Sequence, residues 1–151
     1  MDLILWRHAD AHDARLGETD AQRALTPLGL QQAQAMGAWL QGVLPAHTRV
    51  LVSPALRTQQ TAQALGRPFE TVDALASGAS MQSLLAAAAW PSGGGTVLVV
   101  GHQPTLGLVA ASLLSGHRQH WVVHKASVWW LRAEPYRPHA TLVAMRAPEH
   151  A

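Results

Sequence analysis

Two histidines and two arginines in this sequence stand where the strands of an α/β sheet would end. Arg7 and His8 follow a first apolar run, Arg57 lies one turn into the helix after a second, and His102 follows a third. Because ligands bind beyond the carboxyl ends of strands in open α/β sheets, we expect these side chains to converge. A guanidinium group can bond two phosphate oxygens at once, and helix N-termini at the same edge favour an anion further. The pattern therefore indicates a phosphoryl site.

A metal site is the competing interpretation of the same histidines. His8 and His12 are four residues apart, and His102 could join them. Asp10 or Asp13 could supply an oxygen ligand. However, the residues between the first two histidines are not typical of a helix, and neighbouring guanidinium groups would repel a cation. The favoured hypothesis is a phosphate site that uses no metal and no other cofactor.

The composition predicts a single globular domain over residues 1–151, because this length is typical of one domain. Hydrophobic residues make up 48% of the chain and charged residues 13%, and no apolar run is long enough to span a bilayer. The apolar N-terminal stretch is too short for a signal peptide, so we expect a cytoplasmic protein with no membrane partner. The formal charge is only +2 and the arginines are scattered singly, so no nucleic-acid partner is expected. Without cysteine, the chain has no disulfides, thiolate ligands or thiol nucleophile.

The elements that must position the site alternate between runs typical of strands and stretches typical of helices. We predict strands at residues 3–6, 50–52, 69–72 and 96–100, followed by a final pair at 126–133 and 140–145. Helices are predicted from Thr26-Pro27 to Pro45, from Ser53-Pro54 to about Leu65, from Met81 to Trp90, and from His102-Gln103-Pro104 to about Leu114. Thr26 and Ser53 are each expected to cap a helix that has proline at its first position.

The first helix and the strongest strand indicate how the layers pack. The helix residues expected to face the core are Leu30, Ala33, Gly37, Leu40 and Leu44. The run at 96–100 is continuous and β-branched, as in a parallel strand covered on both faces, so we expect it at the centre of the sheet. The last two strands alternate enough to be antiparallel. The predicted fold is an α/β three-layer α/β/α sandwich with a mostly parallel central sheet and right-handed crossovers.

These motifs resemble the signature of the histidine phosphatase superfamily, which is also called phosphoglycerate mutase-like. The matching segments, in the same order and over nearly the whole chain, are Arg7-His8-Ala9, Ser53-Pro54, Arg57-Thr58, Thr61-Ala62 and Gly101-His102. Glycine is commoner than Ala9 at the third position of the first motif. The segment at 23–29 and the turn at 102–104 are most similar to those of the short bacterial phosphohistidine phosphatases.

The resemblance implies that His8 is a nucleophile, which attacks phosphorus to give a phosphohistidine enzyme that water then hydrolyses. It also implies that Arg7, Arg57 and His102 hold the phosphoryl oxygens. Arg23 either closes over the phosphate and its carrier or only marks the entry to a helix. The expected partner is a phosphohistidine-containing protein such as a phosphotransfer domain, and phosphate is the expected product. For attack, His8 must be neutral, with its other ring nitrogen donating to a backbone carbonyl.

A general acid for the leaving group has no clear place in the sequence. Asp10, Glu18 and Asp20 are the available loop carboxylates, and Gln103 stands where some relatives have aspartate. An imidazole leaving group with an ordinary pKa of ~6.5 needs little help from an acid, whereas an alkoxide leaves badly without one. The sequence therefore favours phosphohistidine as substrate. A phosphatase for small phosphate esters on the same fold, or a phospho-ligand binding module without turnover, are the alternatives.

Overall fold

The computed structural model describes residues 1–150. Their strands form a six-stranded sheet. Its strands are β1 (Asp2–Arg7), β2 (Arg49–Val52), β3 (Glu70–Thr71), β4 (Thr96–Gly101), β5 (Val128–Arg132) and β6 (Thr141–Arg146). The strand order is β3-β2-β4-β1-β5-β6. The pairs β3–β2, β2–β4 and β4–β1 are parallel, whereas β5 and β6 are antiparallel to their neighbours. The predicted mostly parallel sheet is confirmed, with the 96–100 run in a central strand.

Helices cover both faces of this sheet. One face carries α1 (Pro27–Val43) and α2 (Leu56–Gln63), and the other carries α3 (Met81–Ala87) and α4 (Thr105–Ser115). Short 3-10 turns lie at Asp20–Gln22, Asp73–Leu75 and Pro148–His150. The arrangement is the predicted α/β/α sandwich. Across residues 1–150, every helix is too short or too polar to cross a membrane.

The strand that ends in Arg7 is buried on both faces, which explains why its sequence is apolar without alternation. Ile4 and Trp6 contact the core layer beneath α1 and α2, whereas Leu3 and Leu5 contact the layer beneath α3 and α4. All four side chains are fully buried. Because complete burial of such a side chain contributes about 1.5–3 kcal/mol, β1 is a firm support for the residues that follow it.

The start of α1 agrees with the prediction, but its buried face is turned relative to the expected one. Thr26 caps the helix by accepting a hydrogen bond from the backbone N–H of Gly29 at 3.0 Å. The buried residues are Gly29, Ala33, Met36, Gly37 and Leu40. Leu30 is 46% exposed, so its place in the predicted stripe is wrong. The cause is the approach of Gly29 to the backbone carbonyl of Asp10, where a side chain would collide, so that Leu30 points outward.

The predicted cap of the second helix is wrong. α2 begins at Leu56 with Ala55 at its N-cap position, and no side chain caps it. The Ser53 hydroxyl instead bonds to the ring of His102. The predicted third helix also ends early, at Ala87, because Ala89 adopts a positive φ of 55° that a helix cannot continue through. The first difference comes from a side-chain contact and the second from a backbone dihedral angle, and the pattern of apolar residues predicts neither.

An ion pair joins β1 to β5 at the end of these strands that lies opposite Arg7 and His8. Asp2 is 9% exposed, and its two carboxylate oxygens accept from Nε and Nη2 of Arg132, each at 2.8 Å. The indole N–H of Trp130 donates to the same carboxylate at 2.8 Å. These hydrogen bonds hold the pKa of Asp2 below its ordinary value, chiefly through Arg132. They join residues from the two ends of the chain.

Candidate active site

The carboxyl ends of β1, β2 and β4 meet at one edge of the sheet, and the four predicted side chains come together there. Arg7 ends β1, His8 follows it, Arg57 lies in the first turn of α2, and His102 follows β4. The ring centroids of His8 and His102 are 5.4 Å apart. His8, Arg57 and His102 are 7%, 3% and 4% exposed, respectively. The site therefore collects groups that can carry positive charge in a place with little water.

The His8 ring is held in one orientation by the backbone around it. Its Nδ1 lies 2.8 Å from the carbonyl oxygen of Ala9, which can only accept, so Nδ1 carries the proton and donates. The backbone N–H of Ala9 in turn donates to Oγ1 of Thr61 at 3.1 Å. The carbonyl oxygen of His8 accepts from the N–H of Ala126 at 3.1 Å. In the neutral ring this leaves a lone pair on Nε2.

Burial lowers the pKa of His8 to about 3. The hydrogen bond to Ala9 opposes this shift, while the positive charges of His102, Arg57 and Arg7 add to it. An imidazole in this environment is neutral at physiological pH, since the protonated form would lose its hydration beside other cations. The ring can therefore act as a nucleophile without a base to deprotonate it.

The second imidazole, His102, is bonded on one side only. Its Nε2 lies 2.7 Å from Oγ of Ser53, and that oxygen also accepts from the N–H of Ala55 at 3.3 Å. If the hydroxyl donates to Nε2, the proton of the neutral ring is on Nδ1, which is buried and has no partner within residues 1–150. Burial, followed by the charge of Arg57, lowers the pKa of His102 to about 4. A buried N–H without a partner favours a ligand that can accept from it.

The Arg7 guanidinium is anchored at one end and unpartnered at the other. Its Nη1 donates to the carbonyl oxygen of Val123 at 3.0 Å. Its Nε is buried and has no partner within the described chain. Burial and the charge of Arg57 lower the pKa of Arg7. Two guanidinium groups close enough to repel each other are typical of a site that an anion will neutralise.

Arg57 and Arg23 are joined by the carboxylate of Asp20. Nη1 and Nη2 of Arg57 donate to the backbone oxygen and Oδ2 of Asp20 at 2.8 and 2.9 Å. Nη1 of Arg23 donates to Oδ1 of Asp20 at 3.1 Å, and its Nε donates to the carbonyl oxygen of His12 at 2.7 Å. These hydrogen bonds, that of Arg57 first, hold the pKa of Asp20 below its ordinary value. Arg23 therefore reaches the cluster through Asp20.

The three candidate acids are in different surroundings. Asp10 accepts from Lys125 Nζ at 2.8 Å and from the Thr26 hydroxyl at 2.7 Å, and these bonds lower its pKa, the bond to Lys125 most. Asp20 is paired as described. Glu18 lies 3.9 Å from Nε of exposed Arg15. Asp10 and Asp20 are thus ionised at neutral pH and have no proton to donate.

Gln103 holds the start of α4 instead of facing a substrate. Its Oε1 accepts from the N–H of Gly107 at 2.8 Å, and its Nε2 donates to the carbonyl oxygen of Trp121 at 2.9 Å. The residue therefore ties the turn after His102 to the segment that carries Val123. An acid at this position would not form both of these bonds.

Ser53 belongs to the site, although its place in the sequence predicted only a helix cap. A signal for its position was present, because Ser53 follows β2 just as His102 follows β4, and parallel neighbours bring such residues together. The register pairs Val52 with Val100, and the N–H of Ser53 donates to the oxygen of Val100 at 3.1 Å. The residue is fully buried.

The alternative metal site is not assembled in the described chain. Within residues 1–150, no group of three or more histidine and carboxylate side chains is arranged to hold a metal ion. His12, which that interpretation requires, follows the isolated bridge between Ala11 and Leu25, and its N–H donates to the oxygen of Ala24 at 2.9 Å.

The chain is similar in sequence to known phosphatases. The model of the histidine phosphatase superfamily (branch 1) matches residues 3–77. The phosphohistidine phosphatase SixA of Escherichia coli strain K12 is 32% identical over 124 residues, which cover 77% of this chain and 76% of that protein.

Solved structures agree with this similarity. The protein histidine phosphatase SixA complexed with tungstate superposes with a TM-score of 0.80 at 27% identity, covering 98% of this chain and 97% of that one. A structure from Nakamurella multipartitia that also carries the SixA name superposes with a TM-score of 0.73 at 35% identity, covering 97% and 95%.

Proposed function

This chain belongs to the histidine phosphatase superfamily and is a phosphatase, and on that premise we propose that it removes the phosphoryl group from phosphohistidine on a protein. The partner would be a phosphohistidine-containing protein such as a phosphotransfer domain, with phosphate as the product. The similar SixA of Escherichia coli is named for this activity. No metal or other cofactor takes part in the proposed reaction.

The observation that carries the proposal is the state of His8, which is neutral, oriented through Nδ1 and free at Nε2. In the proposed first step, Nε2 attacks phosphorus while the bond from phosphorus to the substrate imidazole breaks. Arg7, Arg57 and His102 hold the three equatorial oxygens, whose charge needs preorganised donors in the transition state. Water then attacks the phosphohistidine enzyme and releases phosphate, and His8 returns to its starting state.

The choice of phosphohistidine over a phosphate ester rests on the leaving group. Asp10 and Asp20 are both held as carboxylates by cations, so neither supplies a proton to a departing alkoxide. A departing imidazole with an ordinary pKa of ~6.5 can already carry a proton on its remote nitrogen. The proposed site suits a substrate that needs no acid. Arg23, on the solvent side of Arg57, is proposed to contact the phosphate or the protein that carries it.

The test compares two substrates with excess chelator present. Purified protein is offered a phosphohistidine-bearing phosphotransfer domain and p-nitrophenyl phosphate, and phosphate release is measured for both. We expect fast release from the phosphoprotein that chelation does not reduce. Hydrolysis of p-nitrophenyl phosphate without release from the phosphoprotein would instead identify a phosphatase for small esters. Phosphate binding without turnover would identify a binding module, and restoration of activity by added metal would favour the rejected His8, His12 and His102 site.

A further inference from the structure

The carboxylate of Asp20 already occupies guanidinium groups that the proposed reaction needs for phosphate. Its Oδ2 accepts from Arg57 at 2.9 Å and its Oδ1 accepts from Arg23 at 3.1 Å. A carboxylate that offers one oxygen to each of two guanidinium groups presents two anionic acceptors, as two oxygens of a phosphoryl group would, but with a smaller total charge. The Arg57 side chain is 3% exposed and that of Asp20 is 56% exposed, so Asp20 covers a buried cation from the solvent side.

The segment that carries Asp20 is held lightly. In the turn Asp20–Gln22 no residue is buried. Its backbone–backbone hydrogen bonds are local, from Gln22 to Thr19 at 3.1 Å and from Arg23 to Asp20 at 3.2 Å. One longer-range bond, from Nη1 of Arg57 to the backbone oxygen of Asp20 at 2.8 Å, holds the backbone of the turn and does not depend on the Asp20 side chain. Surface turns with few buried contacts open at little cost in free energy. The Asp20 side chain can therefore leave the two arginines without disturbing either core layer.

We propose that Asp20 is a specificity-determining residue, an internal anion that competes with the phosphoryl group for Arg57 and Arg23 and is displaced when substrate binds. This inference rests on the proposed function, because it assumes that the phosphoryl group is bound by Arg57. A dianionic phosphoryl group with three oxygens can displace the carboxylate. A small singly charged anion such as acetate offers nothing that Asp20 does not already supply.

Simultaneous binding is opposed by charge. If Asp20 stayed in place, a dianion on Arg57 would lie against a carboxylate that shares the same guanidinium group, and like charges at that distance repel. The charge of Asp20 also acts on His102, whose pKa it raises in part against the larger effects of burial and Arg57. The carboxylate is thus close to two groups of the proposed phosphate site.

The first test measures binding of inorganic phosphate by calorimetry in the wild type and in Asp20→Asn. We expect phosphate to bind about threefold to tenfold more tightly in the variant, the range that the loss of the two competing ion pairs allows. Asp13→Asn removes the same charge from an exposed position in the same loop and should change the affinity less than twofold. Unchanged or weaker binding in Asp20→Asn overturns the proposal, and weaker binding would show that Asp20 braces Arg57.

The second test distinguishes competition for the position of the Asp20 carboxylate from a general effect of removing its charge. In Asp20→Ala, acetate should fill the vacated position and weaken phosphate binding severalfold relative to potassium chloride of equal ionic strength. In the wild type, acetate and chloride should act alike, because the position is filled. Equal effects of acetate and chloride in Asp20→Ala would overturn the idea of competition.

These measurements also distinguish this inference from the proposed function. Tighter phosphate binding in Asp20→Asn without hydrolysis of phosphohistidine by the wild type would support the competition and remove the proposed activity. Hydrolysis by the wild type with unchanged phosphate affinity in the variant would remove only the role of Asp20. If neither protein binds phosphate and the wild type does not hydrolyse phosphohistidine, both proposals fail.

Discussion

At the scale of single residues, the proposed chemistry depends on one ring nitrogen. The hydrogen bond from Nδ1 of His8 to the oxygen of Ala9 fixes the neutral tautomer, and burial keeps the proton off Nε2. The hydrogen bond comes from the backbone directly after β1, the burial comes from the groups packed around the ring, and neither effect needs a carboxylate partner. This differs from nucleophiles that are activated by a neighbouring base.

Replacing His8 tests this directly. We expect His8→Ala to lower phosphohistidine hydrolysis by about 10⁴-fold or more, as removal of a nucleophile does. The fold should survive, because the β1 side chains that pack in both core layers are unchanged. Far-ultraviolet circular dichroism checks the fold, and His47→Ala, at an exposed position away from the site, provides the control. Parental activity in His8→Ala would end the covalent histidine mechanism.

If neither Asp10 nor Asp20 supplies a proton, the rate should depend steeply on the leaving group. Phosphohistidine and aryl phosphates with acidic phenols should react, while phosphoserine and sugar phosphates should lag by about 10²–10⁴-fold, the usual contribution of a general acid. Asp10→Asn, Glu18→Gln and Asp20→Asn should each keep phosphohistidine hydrolysis within about tenfold of the parent. Fast hydrolysis of an alkyl phosphate that collapses in one of these variants would identify that residue as an acid.

The sequence was informative about residues that follow strands and uninformative about loop contacts. His8 and His102 could be singled out because strand ends in an α/β sheet have a defined place. The pairing of Asp20 with Arg57 could not be foreseen, because the loop between β1 and α1 has no periodicity that fixes its path. For the same reason the sequence gives no signal for the pairing of Lys125 with Asp10.

At the scale of elements, the contact between α1 and α2 depends on a glycine. A Cβ atom at Gly37 would lie 2.5 Å from the carbonyl oxygen of Ala64. Because that oxygen belongs to the backbone, the collision could be relieved only if one of the two helices shifted. α2 carries Arg57, so a shift there would move a guanidinium group of the site. Gly42, in the same helix, has nothing within 4 Å of that position.

The two glycines provide a matched pair of substitutions. Gly37→Ala should lower the free energy of unfolding by about 1–3 kcal/mol, because overpacking outweighs the gain in helix propensity. Gly42→Ala should raise it by about 0.5–1 kcal/mol, because only the propensity changes. Urea denaturation of both variants measures the difference. Equal effects of the two substitutions would show that α1 and α2 are not closely packed at Gly37.

The helices and strands were predicted correctly where the local sequence pattern had one structural explanation, and wrongly where a contact elsewhere in the fold overrode that pattern. The strand at 96–100 and the cap at Thr26 were predictable because runs and caps of this kind have few other uses. Ser53 had the same signal as Thr26, yet its hydroxyl bonds to His102, and the helix begins two residues later than predicted. Leu30 was misplaced because the approach of Gly29 to Asp10 sets the rotation of α1.

At the scale of the whole molecule, the buried histidines link stability to pH. Burial lowers the pKa of His8 to about 3 and of His102 to about 4, while both are near 6.5 in an unfolded chain. Between these values the unfolded state binds more protons, so the free energy of unfolding falls as the pH drops below 6.5. The loss continues until the pH reaches the pKa values of the folded protein.

This linkage predicts a loss of about 2 kcal/mol per histidine between pH 7 and pH 5. Urea denaturation at the two pH values measures it. His8→Asn should remove about half of the loss that the two histidines cause, whereas His47→Asn should leave it unchanged. A free energy of unfolding that is the same at pH 7 and pH 5 in the wild type would contradict the low pKa values.

We also expect one cooperative unfolding transition, since all six strands join one sheet.

The central place of β1 has a consequence for how the protein is made. β1 leaves the ribosome first, yet its neighbours β4 and β5 are synthesised far later, and its bond from Trp130 to Asp2 spans 128 positions. At the usual ~5–20 residues per second, β1 waits on the order of 10 s for both partners. A nascent chain that stalls before β5 exposes an apolar strand to chaperones and proteases. Activity should therefore emerge only after β5 has been released, and a fragment that stops before β5 should be inactive.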